Sequence, residues 1–325
     1  ERGYYENLLS VDRFNSQLWE VYSKKPSNWL DVENANLKRF VAGYARNELI
    51  PSFVSKTKYG TITINRWGMR DQDYELSPPA GTFRAVLLGA SSVMGWGVSD
   101  GETFEALVES RLNHDQAVER ITRFELLNMG IPGYDPPQQL FSLNKALTFS
   151  PDAVLYVATG RELTRAVRSL VGATREGMQI PFAPLAAMLE RAGARAGMEE
   201  ADAMKALGPL RNDVLAYVYR EIVEQCKAHG AVPVWVFLPQ VTSGSWEEET
   251  AGARELAVAA GFVVIDMADV YKAADYKSLR LAEWDDHPNR AGHQLIAQRL
   301  YNELLAHRDQ IFAAKTTIQN TAHAQ

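Results

Sequence analysis

The stretch Phe83-Arg84-Ala85-Val86-Leu87-Leu88-Gly89-Ala90-Ser91-Ser92-Val93-Met94-Gly95-Trp96-Gly97 reads as a buried strand that runs into small residues and then into a helix. Its run 83–88 lacks the strict polar alternation of a half-solvated strand, which fits a strand covered on both faces. Short apolar runs recur at 124–127, 153–157, 232–238 and 262–265. Helical patterns lie between them, at 103–112, 138–147, 212–229 and 246–260. Strands alternating with helices predict an α/β fold with a parallel sheet covered on both sides.

Working outward, Pro78-Pro79-Ala80-Gly81 breaks the chain before the first of these strands. The extension 1–80 has no βα rhythm and is rich in aromatic residues: Tyr4, Tyr5, Trp19, Tyr22, Trp29, Tyr44 and Trp67. The pattern predicts a short helix over 39–49 and a strand over 61–67. Rings at this density pack on a neighbouring domain, with a sugar or protein partner as the alternative. Residues 165–210 interrupt the rhythm with about two helices rich in Ala, Met and Arg. An insertion there follows the third core strand, at the sheet edge where ligands bind. It reads equally as a lid or as a helical cover for the core. The tail 315–325 is polar and reads as frayed. The core domain is therefore expected over 81–314.

Composition bounds the function. Of 325 residues, 46% are hydrophobic and 23% charged, which is ordinary globular composition and excludes a wholly disordered chain. A net charge of −6 argues against a broadly basic nucleic-acid surface. Cys226 is the single cysteine, so neither an internal disulfide nor a cysteine-rich zinc site can form. It falls in a helical pattern and reads as a buried, inert thiol. No run of 18 apolar residues suggests a membrane span. The chain begins at Glu1 rather than Met, which we read as a processed start.

Three segments carry the chemistry. Ser91 falls at the C-terminal edge of the first core strand, where it is either a nucleophile facing the crevice or a helix N-cap. Asn128-Met129-Gly130-Ile131-Pro132-Gly133 ends the second strand in a turn whose glycines suit close approach of a backbone N–H to an oxyanion, or simply a turn. Glu283-Trp284-Asp285-Asp286-His287-Pro288-Asn289 precedes the last helix, with Asn289 as N-cap. His287 there suits a general base, with Asp285 to set its tautomer. The bland alternative is an acidic loop capping a helix. A metal site from Asp285, Asp286, His287 and His293 lacks a short chelating motif.

In the order Ser91, Gly133, Asp285, His287, the chain resembles the SGNH hydrolases, also called the GDSL family of esterases and lipases. The resemblance covers roughly 82–307, with 165–210 unmatched. Gly89-Ala90-Ser91, followed by Gly95, is similar to the family's Gly-Asp-Ser block, with Ala90 in place of Asp. Asn128 to Gly133 is similar to the Asn-x-Gly-x-x-Gly block. Thr159-Gly160-Arg161-Glu162 stands where the family has Gly-x-Asn-Asp, so Arg161 replaces an oxyanion-hole donor. His287-Pro288-Asn289 with Gly292-His293 is very like the last block. The resemblance implies a three-layer α/β/α, flavodoxin-like fold with five parallel strands. It implies a serine hydrolase of carbohydrate or small acyl esters, with Ser91, His287 and Asp285 catalytic. Gly133, Arg161 and Asn128 would lie around the oxyanion and substrate, and no metal or cofactor is implied. An O-acyltransferase acting on a glycan is one alternative. A non-catalytic module is the other, motivated by Ala90 and Arg161. Related chains with an N-terminal extension often work outside the cytoplasm, so an extracytoplasmic protein is expected.

Overall fold

Residues 23–242 and 247–313 are described by the computed structural model. Four of the extension's aromatic residues, Tyr4, Tyr5, Trp19 and Tyr22, lie outside these residues, as does the tail 315–325. The described part of the extension holds two antiparallel hairpins. Strands β1 (Lys38–Phe40) and β2 (Asn47–Leu49) pair with Lys38 opposite Leu49. This hairpin replaces the helix expected over 39–49. Gly43 and Arg46 both adopt positive φ, at +88° and +63°. Left-handed residues cannot continue a right-handed helix. Strands β3 (Phe53–Thr57) and β4 (Gly60–Ile64) form the second hairpin. The expected strand over 61–67 thus stops at Ile64, where Asn65 Oδ1 takes the Trp67 and Met69 N–H groups and turns the chain.

The core is a sheet of five parallel strands: β5 (Thr82–Gly89), β6 (Arg123–Gly130), β7 (Ala153–Ala158), β8 (Val232–Phe237) and β9 (Val263–Asp266). Their spatial order is β6-β5-β7-β8-β9, the flavodoxin-like arrangement in which the first strand lies between the second and the third. All eight residues of β5 are buried, as expected of a strand covered on both faces. Alternate side chains serve the two layers. Val86, Leu88, Val154, Tyr156 and Trp235 pack toward α3 (Gln139–Leu147), α4 (Glu162–Arg175) and α7 (Arg211–Ala228). Ala85, Leu87, Leu155, Val157 and Val234 pack toward α2 (Phe104–His114) and α9 (Arg290–Ala306). The molecule is a three-layer α/β/α sandwich.

The segment after β7 holds three helices rather than about two: α4, α5 (Ala183–Arg191) and α6 (Glu200–Leu207). Leu170, Leu185, Leu189 and Leu207 join the same apolar core as Val214 and Val218 of α7. Cys226, also on α7, is buried, and burial pushes its thiol up to about 12. Helix α8 (Glu247–Ala260) completes this side, and α10 (Arg308–Ile311) follows α9. No helix among the described residues is long and apolar enough to cross a membrane.

The extension packs on the core through a third apolar cluster. Val32, Leu37, Leu49, Ile62 and Ile64 meet Met94 and Trp96, just beyond the end of β5. Tyr44 enters the main core, and its hydroxyl lies 2.6 Å from Ser169 Oγ. Trp67 meets Phe149 edge to face.

Candidate active site

Strands β5 and β6 end level, with Gly89 opposite Gly130. The loops that follow therefore leave the sheet side by side, beside the point where strand order reverses. Ser91 opens the one-turn helix α1 (Ser91–Met94), which Gly95 closes in the left-handed conformation. Ser91 O accepts from Gly95 N and Trp96 N, both at 3.0 Å. Two side chains brace this turn from behind. Arg70, buried to 3% exposure, donates to Val98 O at 2.6 Å and to Met94 O and Gly95 O. Asn128 Nδ2 donates to Val93 O at 2.8 Å. At Gly130, a Cβ would fall 2.3 Å from Met94 N, so only glycine lets β6 approach the turn this closely.

Asn128 was expected among the groups facing substrate. It is fully buried, and its amide is committed to Val93 O and, through Oδ1, to Gly130 N. It is a brace for the turn and has no face toward the crevice. Its backbone N–H donates to Asp71 Oδ2 at 3.0 Å.

His287 lies on β11 (Asp285–Pro288), which pairs with β10 (Arg280–Ala282) as a short hairpin leading into α9. Residues two apart on a strand share a face, so Asp285 and His287 point the same way and Asp286 points elsewhere. Two contacts at 2.7 Å follow: His287 Nδ1 to Asp285 Oδ1, and His287 Nε2 to Ser91 Oγ. Asp286 instead accepts from Gln240 Nε2 at 3.1 Å. Asn289 caps α9 by accepting from Gly292 N. Burial opposes the charge on Asp285, but hydrogen bonds from His287 and Trp29 hold the carboxylate below its ordinary range. Burial also opposes charge on His287, yet its bond to Asp285 and the charges of Asp285, Asp286 and Glu33 raise the imidazole above its ordinary value. Asp285, Asp286 and His287 are close enough to be a metal trio, within 4.8 Å. Both ring nitrogens of His287 are already engaged, one with Asp285 and one with Ser91, which suits proton transfer better than ligation.

No protein-family model matches the chain. No curated protein matches it either. Among solved structures it is similar to a lipase/acylhydrolase from Enterococcus faecalis, with 16% identity, 69% of this chain and 96% of that one covered, and a TM-score of 0.44. It is also similar to the psychrotrophic esterase EstA from Pseudoalteromonas sp., at 14% identity, 67% and 94% coverage and a TM-score of 0.42. An acetylxylan esterase from Geobacillus stearothermophilus aligns at 15% identity, 68% and 94% coverage and a TM-score of 0.43. These likenesses are at the level of the fold; the chemistry of the site rests on its own geometry.

Gly133 sits in the loop after β6 with φ +84°, and a Cβ there would lie 3.8 Å from Glu33 Oε1 of the extension. Arg161 precedes α4 at the end of β7 and is half-buried. Glu162 accepts from Tyr156 Oη, Tyr219 Oη and Thr159 N. Asp135 pairs with Arg165 and Arg168. Asp285 is held by His287 and Trp29.

The sequence reading missed the extension's share in this site. Arg70 holds the turn after β5, Asp71 holds the end of β6, Glu33 borders Gly133, and Trp29 Nε1 donates to Asp285 Oδ2 at 3.3 Å. No periodicity reports such contacts, because each spans at least 24 residues in sequence.

His293 has a separate task. It is fully buried in α9, stacks on Phe104, and its Nδ1 accepts from Phe104 N at 3.1 Å, tying the start of α2 to α9. Burial, with Arg70 and His287 nearby, lowers its pKa to about 3. His293→Ala should cost about 2–4 kcal/mol at neutral pH, because it leaves a cavity and an unpaired buried N–H. The folded chain keeps this ring neutral while the unfolded chain protonates it below its ordinary 6.5. The wild-type advantage should therefore shrink as pH falls from 6.5 toward 3, by at most about 1.4 kcal/mol per pH unit. Urea unfolding of both proteins at pH 7 and pH 5 measures this. An equal or larger gap at pH 5 would contradict the assignment.

Proposed function

We propose that this protein is a serine hydrolase of O-acyl esters on carbohydrates or small alcohols. One observation carries the reading: Ser91 Oγ, the His287 ring and the Asp285 carboxylate form a continuous hydrogen-bonded series with 2.7 Å at each step. In the proposed reaction Ser91 Oγ attacks the ester carbonyl as His287 Nε2 takes its proton. Asp285 stabilises the imidazolium through Nδ1. The tetrahedral oxyanion is held by the backbone N–H groups of Ser91 and Gly133, with the Arg161 guanidinium completing the set. His287 returns the proton to the leaving alcohol, and an acyl-Ser91 ester remains. Water, deprotonated by His287, then attacks this ester and releases the acid and Ser91.

Trp29 and Trp284 meet edge to face, with centroids 5.3 Å apart, beside Asp285. We infer an extracytoplasmic place of work for such an enzyme, where polymeric acylated glycans are substrates. The test is release of acid from p-nitrophenyl acetate and from an acetylated xylo-oligosaccharide, measured against a Ser91→Ala control. Release that does not depend on Ser91 would overturn the proposal.

Arg161 gives a second check. As an oxyanion donor it should act on kcat, so Arg161→Ala lowers kcat by about 10²–10³ with KM little changed. Arg161→Asn should recover most of that loss, since Asn is a shorter, neutral donor. A rise in KM confined to acidic esters would assign Arg161 to a substrate anion instead.

A further inference from the structure

We infer that Trp29 is a positioning residue for the catalytic histidine, a link in a relay that runs from the N-terminal extension to Ser91. The inference rests on the hydrolase reading of the Ser91 site and deepens it. Asp285 divides its two oxygens between two partners. Oδ1 takes the His287 ring at 2.7 Å and the His287 backbone N–H at 3.3 Å. Oδ2 takes the Trp29 indole N–H at 3.3 Å. An indole N–H only donates, so it cannot compete for the His287 proton; it fixes the carboxylate's rotation and takes up part of its charge. The Asp285 side chain is 7% exposed, so few waters can do this in its place.

Trp29 is itself held on several sides. Its ring meets Trp284 at 86°. The Lys58 ammonium, at the turn between β3 and β4, lies 3.2 Å from the centroid of the indole. Trp29 N donates to Pro26 O at 2.9 Å, and Trp29 O accepts from Asn34 Nδ2 at 3.0 Å. A cation over the indole face draws electron density toward itself and makes the N–H a stronger donor. The order is then Lys58, Trp29, Asp285, His287, Ser91. Two of the five come from a segment that precedes the first core strand.

The charged and titratable groups facing His287 are known from each side. Asp285 and Asp286 share its strand, Glu33 faces it from the extension, and His293 lies in the helix beyond. Lys58 and Tyr59 act on Asp285 from the β3–β4 turn. Removing the indole N–H leaves Asp285 with one donor fewer. More of its charge then falls on His287, while its rotation is less defined.

Trp29→Phe keeps a ring against Trp284 and loses only the N–H donor and part of the ring's area. We expect kcat for p-nitrophenyl acetate to fall on the order of 10-fold with KM unchanged, the loss of one hydrogen bond to a charged group. The rising limb of the kcat/KM–pH profile should move to higher pH. Lys58→Met should shift both in the same direction by less. A packing role alone would lower the melting temperature without moving the limb. Titration of the His287 imidazole by NMR gives the same answer without turnover. An upward shift in Trp29→Phe supports the relay even if the wild type hydrolyses no ester, a result that would sink the hydrolase reading alone. An unchanged His287 titration and an unmoved kcat/KM limb would overturn the role of Trp29, whatever the melting temperature does.

Discussion

Ser91→Ala is expected to lower p-nitrophenyl acetate hydrolysis by about 10⁴–10⁶, to the residual level that binding and oxyanion donors supply alone. The fold should hardly notice. Ser91 Oγ bonds to His287, whereas the turn is kept by main-chain bonds from Gly95 and Trp96 and by Arg70 and Asn128. The melting temperature should therefore stay within a degree or two of the wild type. Ser92 is the internal control, one residue along the same turn. Ser92→Ala should keep most of the activity. If Ser91→Ala retained wild-type activity while Ser92→Ala lost it, the nucleophile would be misassigned.

His287→Ala is expected to be as damaging as Ser91→Ala, and the double variant little worse than either. Groups that act as one unit are grossly non-additive, because removing either already ends the shared step. Two losses that multiplied would show that Ser91 and His287 act apart, despite the 2.7 Å between them. The pH profile carries the same information. His287 must be neutral to accept the Ser91 proton, and its pKa is raised by Asp285 and the neighbouring acidic groups. The wild-type kcat/KM should thus rise with pH through a limb above the ordinary histidine value of about 6.5. Residual activity of His287→Ala should lack that limb.

The core was legible from local pattern. Strands buried on both faces announce themselves as short apolar runs, and those at 83–88 and 153–157 fall within β5 and β7. The Ser91 turn was legible because it follows such a strand, and His287 because it precedes a helix that Asn289 caps. Asp285 was chosen from its place two residues before His287; the strand β11 that aims both side chains the same way was not legible in the sequence. Asn128 was placed facing substrate from the resemblance of its block, whereas β6 runs through to Gly130 and buries it. The hairpin at 38–49 was missed because Gly43 and Arg46 set it by φ, not by hydrophobic spacing. Trp29, Arg70 and Asp71 were out of reach for a different reason. Their partners Asp285, Val98 and Asn128 are brought to them only by the docking of the extension on the core.

The most direct measurement is covalent labelling with a fluorophosphonate, followed by mass spectrometry of the peptide that holds Ser91 and Ser92. A nucleophile activated by His287 should attack phosphorus and release fluoride, leaving one phosphonyl adduct on Ser91 in the wild type. That adduct should be absent in Ser91→Ala and form far more slowly in His287→Ala. No adduct on the native protein, an adduct on Ser92, or labelling of Ser91 at the same rate without His287 would contradict the account.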